Sequence, residues 1–325
     1  MAQPSPKSPR EVALLCCGDD GYVMPIMVML CSASANLSPG WRMRVYLMDG
    51  GIAPDSRRRM ERKIAAFGNV DLEWHVISRD PFSDLPILRR LNSTIYLRLL
   101  MDDILPMDLE RIVYLDGDLL VEGDLADLYR EDFGDATLMA VCDYGSSIVR
   151  PELPLPGIDP ARRQNAPYFN SGVLVINMKP WRHDGVGRAV LEYVRQFKPI
   201  VRFPDQDGLN AVLFGKWRQL DLAWNAQVDN LINPTQLGQT SVDEEIRRRR
   251  EELLYHPRIQ HYAGRKKPWN AGRFKPVRSR FVHYLHASRW LDPADLMKFH
   301  VRWVVSTGQL ALGELRKKFA AKVAP

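Results

Sequence analysis

Short apolar runs alternate with amphipathic stretches along the first 118 residues: EVALLCC, RMRVYLMDGG (42–51), DLEWHVIS (71–78) and RIVYLDGD. Their β-branched, aromatic and long aliphatic residues are those of buried strands. Between them, PIMVMLCSASANL (25–37) reads as a helix with Pro25 near its first turn. PDSRRRMERKIAAFG (54–68) reads as an amphipathic helix opened by Pro and stopped by Gly. STIYLRLLMDDILP (93–106) is expected to be a helix capped by Ser93 and ended before Pro106. Strands and helices alternating at this spacing require βα units and a mostly parallel sheet covered on both faces. The fold class is α/β. In such sheets ligands gather beyond the carboxyl ends of the strands, where this chain places Asp19-Asp20 and Asp116-Gly117-Asp118.

Two carboxylates at the end of an apolar strand repel each other and resist desolvation unless something neutralises them. Positions i and i+2 of a strand face the same way, so Asp116 and Asp118 can converge on one point, and a divalent cation is a natural occupant. Asp-Gly is also the commonest turn dipeptide, so the pair alone does not establish a metal site.

Further along, ATLMAVCDY (136–144) reads as a strand, followed by the Pro-rich PELPLPGIDP. YFNSGVLVINMKPWR contains a strand, GVLVINM, ended by Lys179-Pro180. A helix follows to about Lys198, DQDGLNAVLF is helical, and RIQHYAGRKKPWN runs from a strand into a loop. A lone histidine in such a strand is more often a hydrogen-bonded structural residue. His261, however, opens HYAGRKKPW, where Gly264 allows close backbone approach and Lys266 or Lys267 supplies positive charge. Two carboxylates and one imidazole suit Mn²⁺, and Mg²⁺ less well, when phosphate oxygens complete the shell. A nearby lysine stabilises charge developing on a leaving diphosphate.

The length of 325 residues allows one large core with an appendage. Residues 1–10 read as a disordered leader, 11–290 as the main domain and 291–325 as a basic amphipathic helical tail. The net charge of +6 raises nucleic acid as a partner, but the basic residues are spread out and mostly lack interleaved aromatics. The densest run, IRRRREELL (246–254), follows DEE and reads as a solvated helix face. No nucleic-acid partner is therefore expected. Cys16, Cys17, Cys31 and Cys142 form no CxxC pattern and read as buried free thiols. Without an apolar h-region or cleavage site at the start, a reducing cytoplasm is the expected compartment.

Taken in order, CCGDDGY, YLRLLMDDILP, RIVYLDGDLLVEGDL, YFNSGVLVINMKPWR, FPDQDGLNAVLFGKW and HYAGRKKPW resemble the retaining glycosyltransferases of family 8 over roughly residues 11–272. That family includes bacterial lipooligosaccharide galactosyltransferases and glycogenin-type enzymes. The resemblance implies a GT-A type, Rossmann-like domain, a UDP-sugar donor and a divalent metal, usually Mn²⁺. By motif, Asp116, Gly117 and Asp118 match the D-x-D and His261 the third metal ligand. Lys267 and Gly264 match the residues that meet the donor diphosphate, and Asp19 and Tyr22 those around uracil and ribose. Arg98 matches the arginine near donor sugar and phosphate. Asn170, Asp143, Asp205 and Gln206 stand where the family arranges the transferred sugar and reacting carbon. Gly21 stands where bacterial relatives often carry Asn, GRKKPW is more basic than the usual loop, and residues 145–165 match nothing.

Retention by double displacement needs a carboxylate nucleophile on the far face of the sugar. FPDQD offers the neutral Gln206 at the matching position, which favours front-face substitution, with the leaving UDP helping to deprotonate the acceptor hydroxyl. Helix capping is the competing role for Asp205. Asp124 reads as a turn or cap residue, and Met24, Met27, Met29, Trp181, Trp217 and Trp224 as core. Two rival functions are a nucleotide-sugar hydrolase using the same metal and a non-catalytic nucleotide-sugar or glycan-binding protein. The tail joins Lys298, Arg302, Arg316, Lys317, Lys318 and Lys322 to Leu296, Phe299, Trp303, Leu312, Leu315 and Phe319 at helical spacing. Such a helix either docks on the domain or lies on an anionic membrane surface, here the inner face.

Overall fold

The structure is a computed structural model and describes residues 10–78, 80–86, 93–150, 154–264, 267–270 and 275–305. β1 (Arg10–Gly18) is buried over its last seven residues. Its alternation decides the architecture. Val12, Leu14 and Cys16 enter one apolar core, and Ala13, Leu15 and Cys17 enter a second on the other face. A strand apolar on both faces must lie inside a covered sheet.

α1 (Val23–Ala35) follows, with Pro25 in its first turn and Ile26 through Ala33 buried continuously. β2 (Trp41–Asp49), α2 (Pro54–Ile64) and β3 (Val70–Val76) complete the first crossovers. β1 pairs in parallel with β2, β2 with β3, and β1 on its other side with β4 (Arg111–Leu115). The segment expected as an α-helix over 93–106 is instead a 3₁₀ coil, Ser93–Asp103. Tyr96, Leu97, Arg98, Leu99 and Met101 in it are all buried. With its middle buried and Asp103 exposed at its end, it serves as a tightly wound connector.

β5 (Leu119–Val121) leaves the main sheet, and α3 (Leu125–Tyr129) is capped by Asp124, which accepts from Ala126 N–H. β6 (Leu138–Cys142), α4 (Pro160–Arg163) and β7 (Phe169–Asn177) come next. β7 is antiparallel to both β4 and β6. It ends at Asn177, which caps α5 (Met178–His183), so Lys179-Pro180 opens a helix instead of ending the strand. α6 (Val186–Gln196), α7 (Pro204–Val212) and β8 (Trp217–Gln219) extend the second core. The main sheet has the order β3-β2-β1-β4-β7-β6-β8.

A small second sheet, β5-β10-β9, is built from β9 (Ala226–Gln227) and β10 (Ile259–His261) around β5. Between β9 and β10 lie α8 (Val228–Ile232), α9 (Ser241–Arg248) and α10 (Arg250–Tyr255). The last two carry the basic run. α11 (Lys275–Ala287) packs on α1. A helical stretch, 293–305, then lays Leu296 and Phe299 against the first core. The described part of the tail is therefore docked. Residues 1–9, most of the leader, and 306–325, which hold Leu312, Leu315 and Phe319, lie outside the described residues. All four cysteines are free and buried. Among the described residues no helix is long and apolar enough to cross a membrane.

Candidate active site

The carboxyl end of β4 brings the acid pair out of the core. Asp116 N–H donates to Gly172 O at 2.9 Å, which ties the end of β4 to β7. Gly117 follows where a Cβ would stand 2.8 Å from Ile26 Cγ1, so only glycine lets the chain pass α1. β10 pairs antiparallel with β5 so that His261 lies opposite Leu119, one residue beyond Asp118. That register, set 140 residues downstream of the acids, carries the imidazole onto them. One ligand atom each from Asp116, Asp118 and His261 lie within 4.8 Å of one another. His261 Nε2 is 3.4 Å from Asp118 Oδ1.

Lys267 closes this group. Its ammonium bonds Asp118 Oδ2 and donates to Tyr262 O at 2.7 Å. Burial pushes the Asp118 carboxyl up, but Lys267 and His261 outweigh it and hold the group well below the carboxylate range. Two oxygen donors and one imidazole, converging where Gly172 leaves room, fit Mn²⁺ or Mg²⁺.

Arg98 binds the acids from the other side. It is 4 % exposed and lies 3.2 Å from Asp116 Oδ1 and 3.1 Å from Asp205 Oδ2. It also donates to Ser171 O at 2.6 Å and stacks 4.1 Å over the Tyr114 ring, whose hydroxyl donates to Asp116 at 2.6 Å. Burial raises the Asp205 carboxyl, with Arg98 opposing. Asp205 is not the cap of α7. Phe203 occupies that position, without a side-chain cap.

A third group lies beyond Arg98. Gln206 Oε1 accepts from Ser171 N–H at 3.0 Å, and its Nε2 donates to Asp143 Oδ2 at 3.2 Å and Tyr168 Oη at 3.3 Å. Asn170 donates to Asp143 Oδ2 at 3.0 Å. Asp19 accepts from Gly21 N–H at 3.1 Å at the end of β1, and Tyr22 meets Trp269 edge-on at 6.1 Å. Gly264, with φ of 86°, takes a left-handed turn beside Asp229.

Shared bonds through Asp116, Ser171 and Asp143 thus join Arg98, Asp205, Gln206 and Asn170 to the Asp116–Asp118–His261–Lys267 cluster. Asp19, Tyr22 and Gly264 sit on loops around it. Sequence reading passed over Asn225, which is fully buried, bonds His261 Nδ1 at 2.8 Å and donates to Asn170 Oδ1 at 2.9 Å. It also passed over the site roles of Tyr168, Ser171 and Gly172. Asn225 stands beside Trp224 in a short apolar run, where no residue pattern marks it as part of a site.

The model of "Glycosyl transferase family 8" matches residues 13–272. General stress protein A of Bacillus subtilis (strain 168) is 28% identical over 284 residues, covering 85% of this chain and 94% of that protein. The lipopolysaccharide 1,2-glucosyltransferase of Escherichia coli (strain K12) is 24% identical over 238 residues, 71% of this chain and 65% of that one. Among solved structures, galactosyltransferase LgtC in complex with donor and acceptor sugar analogues superposes with a TM-score of 0.74 at 24% identity. The match covers 89% of this chain and 100% of LgtC, which identifies the fold as GT-A type. With four-fifths of its length matched by the family model, the chain belongs to glycosyl transferase family 8 and is a hexosyltransferase.

Proposed function

We propose that this protein is a metal-dependent, retaining hexosyltransferase that moves glucose or galactose from a UDP-sugar to a hydroxyl of a glycan or lipopolysaccharide-type acceptor. One observation carries the reading: Asp116, Asp118, His261 and Lys267 converge beside the Arg98–Asp205 pair and the Gln206 amide. Asp116, Asp118 and His261 would hold Mn²⁺, with Mg²⁺ as the alternative, and the ion when bound supplies positive charge to the donor diphosphate. Lys267 adds a second cation there, and Gly264 lets the loop backbone approach. Asp19 and Tyr22 hold the nucleoside. Arg98, Asp143, Asn170 and Asp205 position the hexose.

Gln206 faces the reacting carbon as a neutral amide whose oxygen already accepts from Ser171 N–H. A neutral amide so engaged is a poor nucleophile, so front-face substitution is the consistent route. The acceptor hydroxyl gives its proton to the departing diphosphate on the face that the leaving group vacates. A hydrolase would need a base that activates water beside the phosphate, and the sequence carries no added motif that supplies one. Retention of the acids, His261 and Lys267 together argues against a purely binding role.

The stretch 293–305 is docked through Leu296 and Phe299, and an interfacial role for the tail rests on the face it turns outward. Leu296 and Phe299 face the core, while Met297, Val301, Val304 and Val305 are exposed beside the exposed Arg302. In this reading the enzyme works in the cytoplasm, peripheral on the inner membrane face.

The test is a thermal-shift and hydrolysis screen of nucleotide sugars with Mn²⁺, since a ligand that binds the native state raises its stability. One UDP-hexose should stand out. Release of free sugar at the same rate with and without acceptor would favour the hydrolase, and binding without turnover across a broad acceptor panel would favour the binding protein.

A further inference from the structure

A carboxylate can only accept hydrogen bonds, and that fact fixes a chain of buried groups reaching His261. Asp143 Oδ1 accepts from the backbone N–H groups of Gly145 at 2.9 Å and Ser146 at 3.0 Å, which locks the carboxylate in place. Its Oδ2 faces Asn170 at 3.0 Å, so the Asn170 atom there must be the amide nitrogen. Asn170 Oδ1 then faces the other way. The Gly172 N–H, donating to it at 3.0 Å, demands the same assignment independently.

Asn225 must therefore present its nitrogen to Asn170, at 2.9 Å, and its oxygen to His261 Nδ1, at 2.8 Å. That oxygen also only accepts. We infer that Asn225 is a positioning residue that holds a proton of His261 on Nδ1, so that Nε2 is the nitrogen turned toward Asp116 and Asp118 as a ligand.

The opposite tautomer would set two lone pairs against each other at the Asn225–His261 contact. Flipping Asn225 moves the conflict to Asn170, and flipping Asn170 moves it to the Asp143 carboxylate and the Gly172 N–H. Each flip strands buried polar groups that water does not reach, because Asn225 is wholly buried and Asn170 and His261 nearly so. The backbone at Gly145, Ser146 and Gly172 thus dictates which ring nitrogen is available as a ligand. The partner of a ligating imidazole commonly sets its tautomer and basicity. Here that partner is connected to Asp143, on the sugar side, so one hydrogen-bonded chain orients both ends of the donor site.

This inference rests on the metal reading of Asp116, Asp118 and His261, and the experiment separates the two. The first measurement is long-range ¹⁵N–¹H spectroscopy of the metal-free full chain carrying ring-labelled histidine, with His261 assigned through His261→Gln. A proton on Nδ1 is the expected result. A ring whose Nδ1 carries no proton overturns the inference, whatever the metal does. The second is Mn²⁺ affinity by electron paramagnetic resonance. Asn225→Ala should weaken it about 10–100-fold, the usual cost of removing the partner of a ligating histidine. Asn225→Asp keeps the acceptor for Nδ1–H but loses the donor to Asn170 Oδ1, so it should recover part of the loss. In a His261→Ala background Asn225→Ala should change nothing further. An unchanged Mn²⁺ affinity in a folded Asn225→Ala, or an equal loss without His261, overturns the proposal. Failure of the wild type to bind Mn²⁺ overturns the metal reading instead.

Discussion

Gly172 lies against the His261 imidazole, where a Cβ would collide with Cε1. A Cβ added at Gly172 would stand 3.0 Å from His261 Nδ1 and 3.0 Å from Asp116 Oδ2. Both neighbours are held by other bonds, so neither yields freely. Gly172→Ala should cost about 1–3 kcal/mol of stability, as overpacking does, and should weaken Mn²⁺ binding in the same protein. Denaturant unfolding with a parallel Mn²⁺ titration checks both. A stable variant with wild-type metal affinity would show that the site has slack there.

Activity should require a divalent ion, with Mn²⁺ preferred. Asp118→Asn or His261→Ala should lower the transfer rate about a thousandfold, the scale of losing several kcal/mol of charge stabilisation. Full turnover in excess chelator would remove the metal from the mechanism.

Gln206→Ala should slow transfer about a hundredfold, the scale seen when one preorganised dipole is removed. UDP affinity should stay nearly unchanged, because the Gln206 amide bonds Asp143, Tyr168 and Ser171 and meets neither the metal ligands nor Lys267. Loss of UDP binding in proportion to rate would place Gln206 on the nucleotide side.

Arg249 gathers Asp221, Glu245 and Glu252 on the surface of α9 and α10. Its hydrogen bonds hold the Asp221 and Glu252 carboxyls below their ordinary values. A depressed folded value stabilises above the unfolded pKa, about 4 for these acids, and the gain is lost as pH falls through the folded one. Both acids are half exposed, so solvent screening reduces the contribution to about 1 kcal/mol. Arg249→Gln should therefore melt lower than wild type at pH 7, and the gap should close as the pH is taken below about 4. An equal gap at pH 7 and pH 3 would rule out this ion network as its source.

The full chain should co-sediment with anionic vesicles at low salt and less so at high salt. Asp at both Val301 and Val304, which are 52 % and 61 % exposed, should weaken that binding without unfolding the domain. Equal sedimentation of wild type and double variant would assign the exposed stripe another use.

The parallel part of the sheet was legible because β1 and β2 are apolar on both faces, which only a covered strand tolerates. The antiparallel insertion of β7 was not, because a strand buried on both sides reads the same in either direction. The acid pair announced itself as charge at the end of an apolar strand. His261 became interpretable through its basic loop, and Lys267 and Gly264 through the motif around them. Asn225 and Gly172 left no such mark. The first matters through which atom it presents to His261, the second through a side chain it lacks, and neither property is a pattern of residue types. The 3₁₀ coil was misread for a related reason, since helical spacing in 93–106 does not distinguish an α-helix from a more tightly wound connector.

The ion pair between Lys267 and Asp118 gives the substrate-free cleft a counter-ion of its own. Arg98 does the same for Asp116. Two acids that would otherwise repel each other are thereby each balanced by a cation of the chain itself. Under the proposed function, loading would be an exchange of one cation for another, with the displaced ammonium within reach of the donor phosphates.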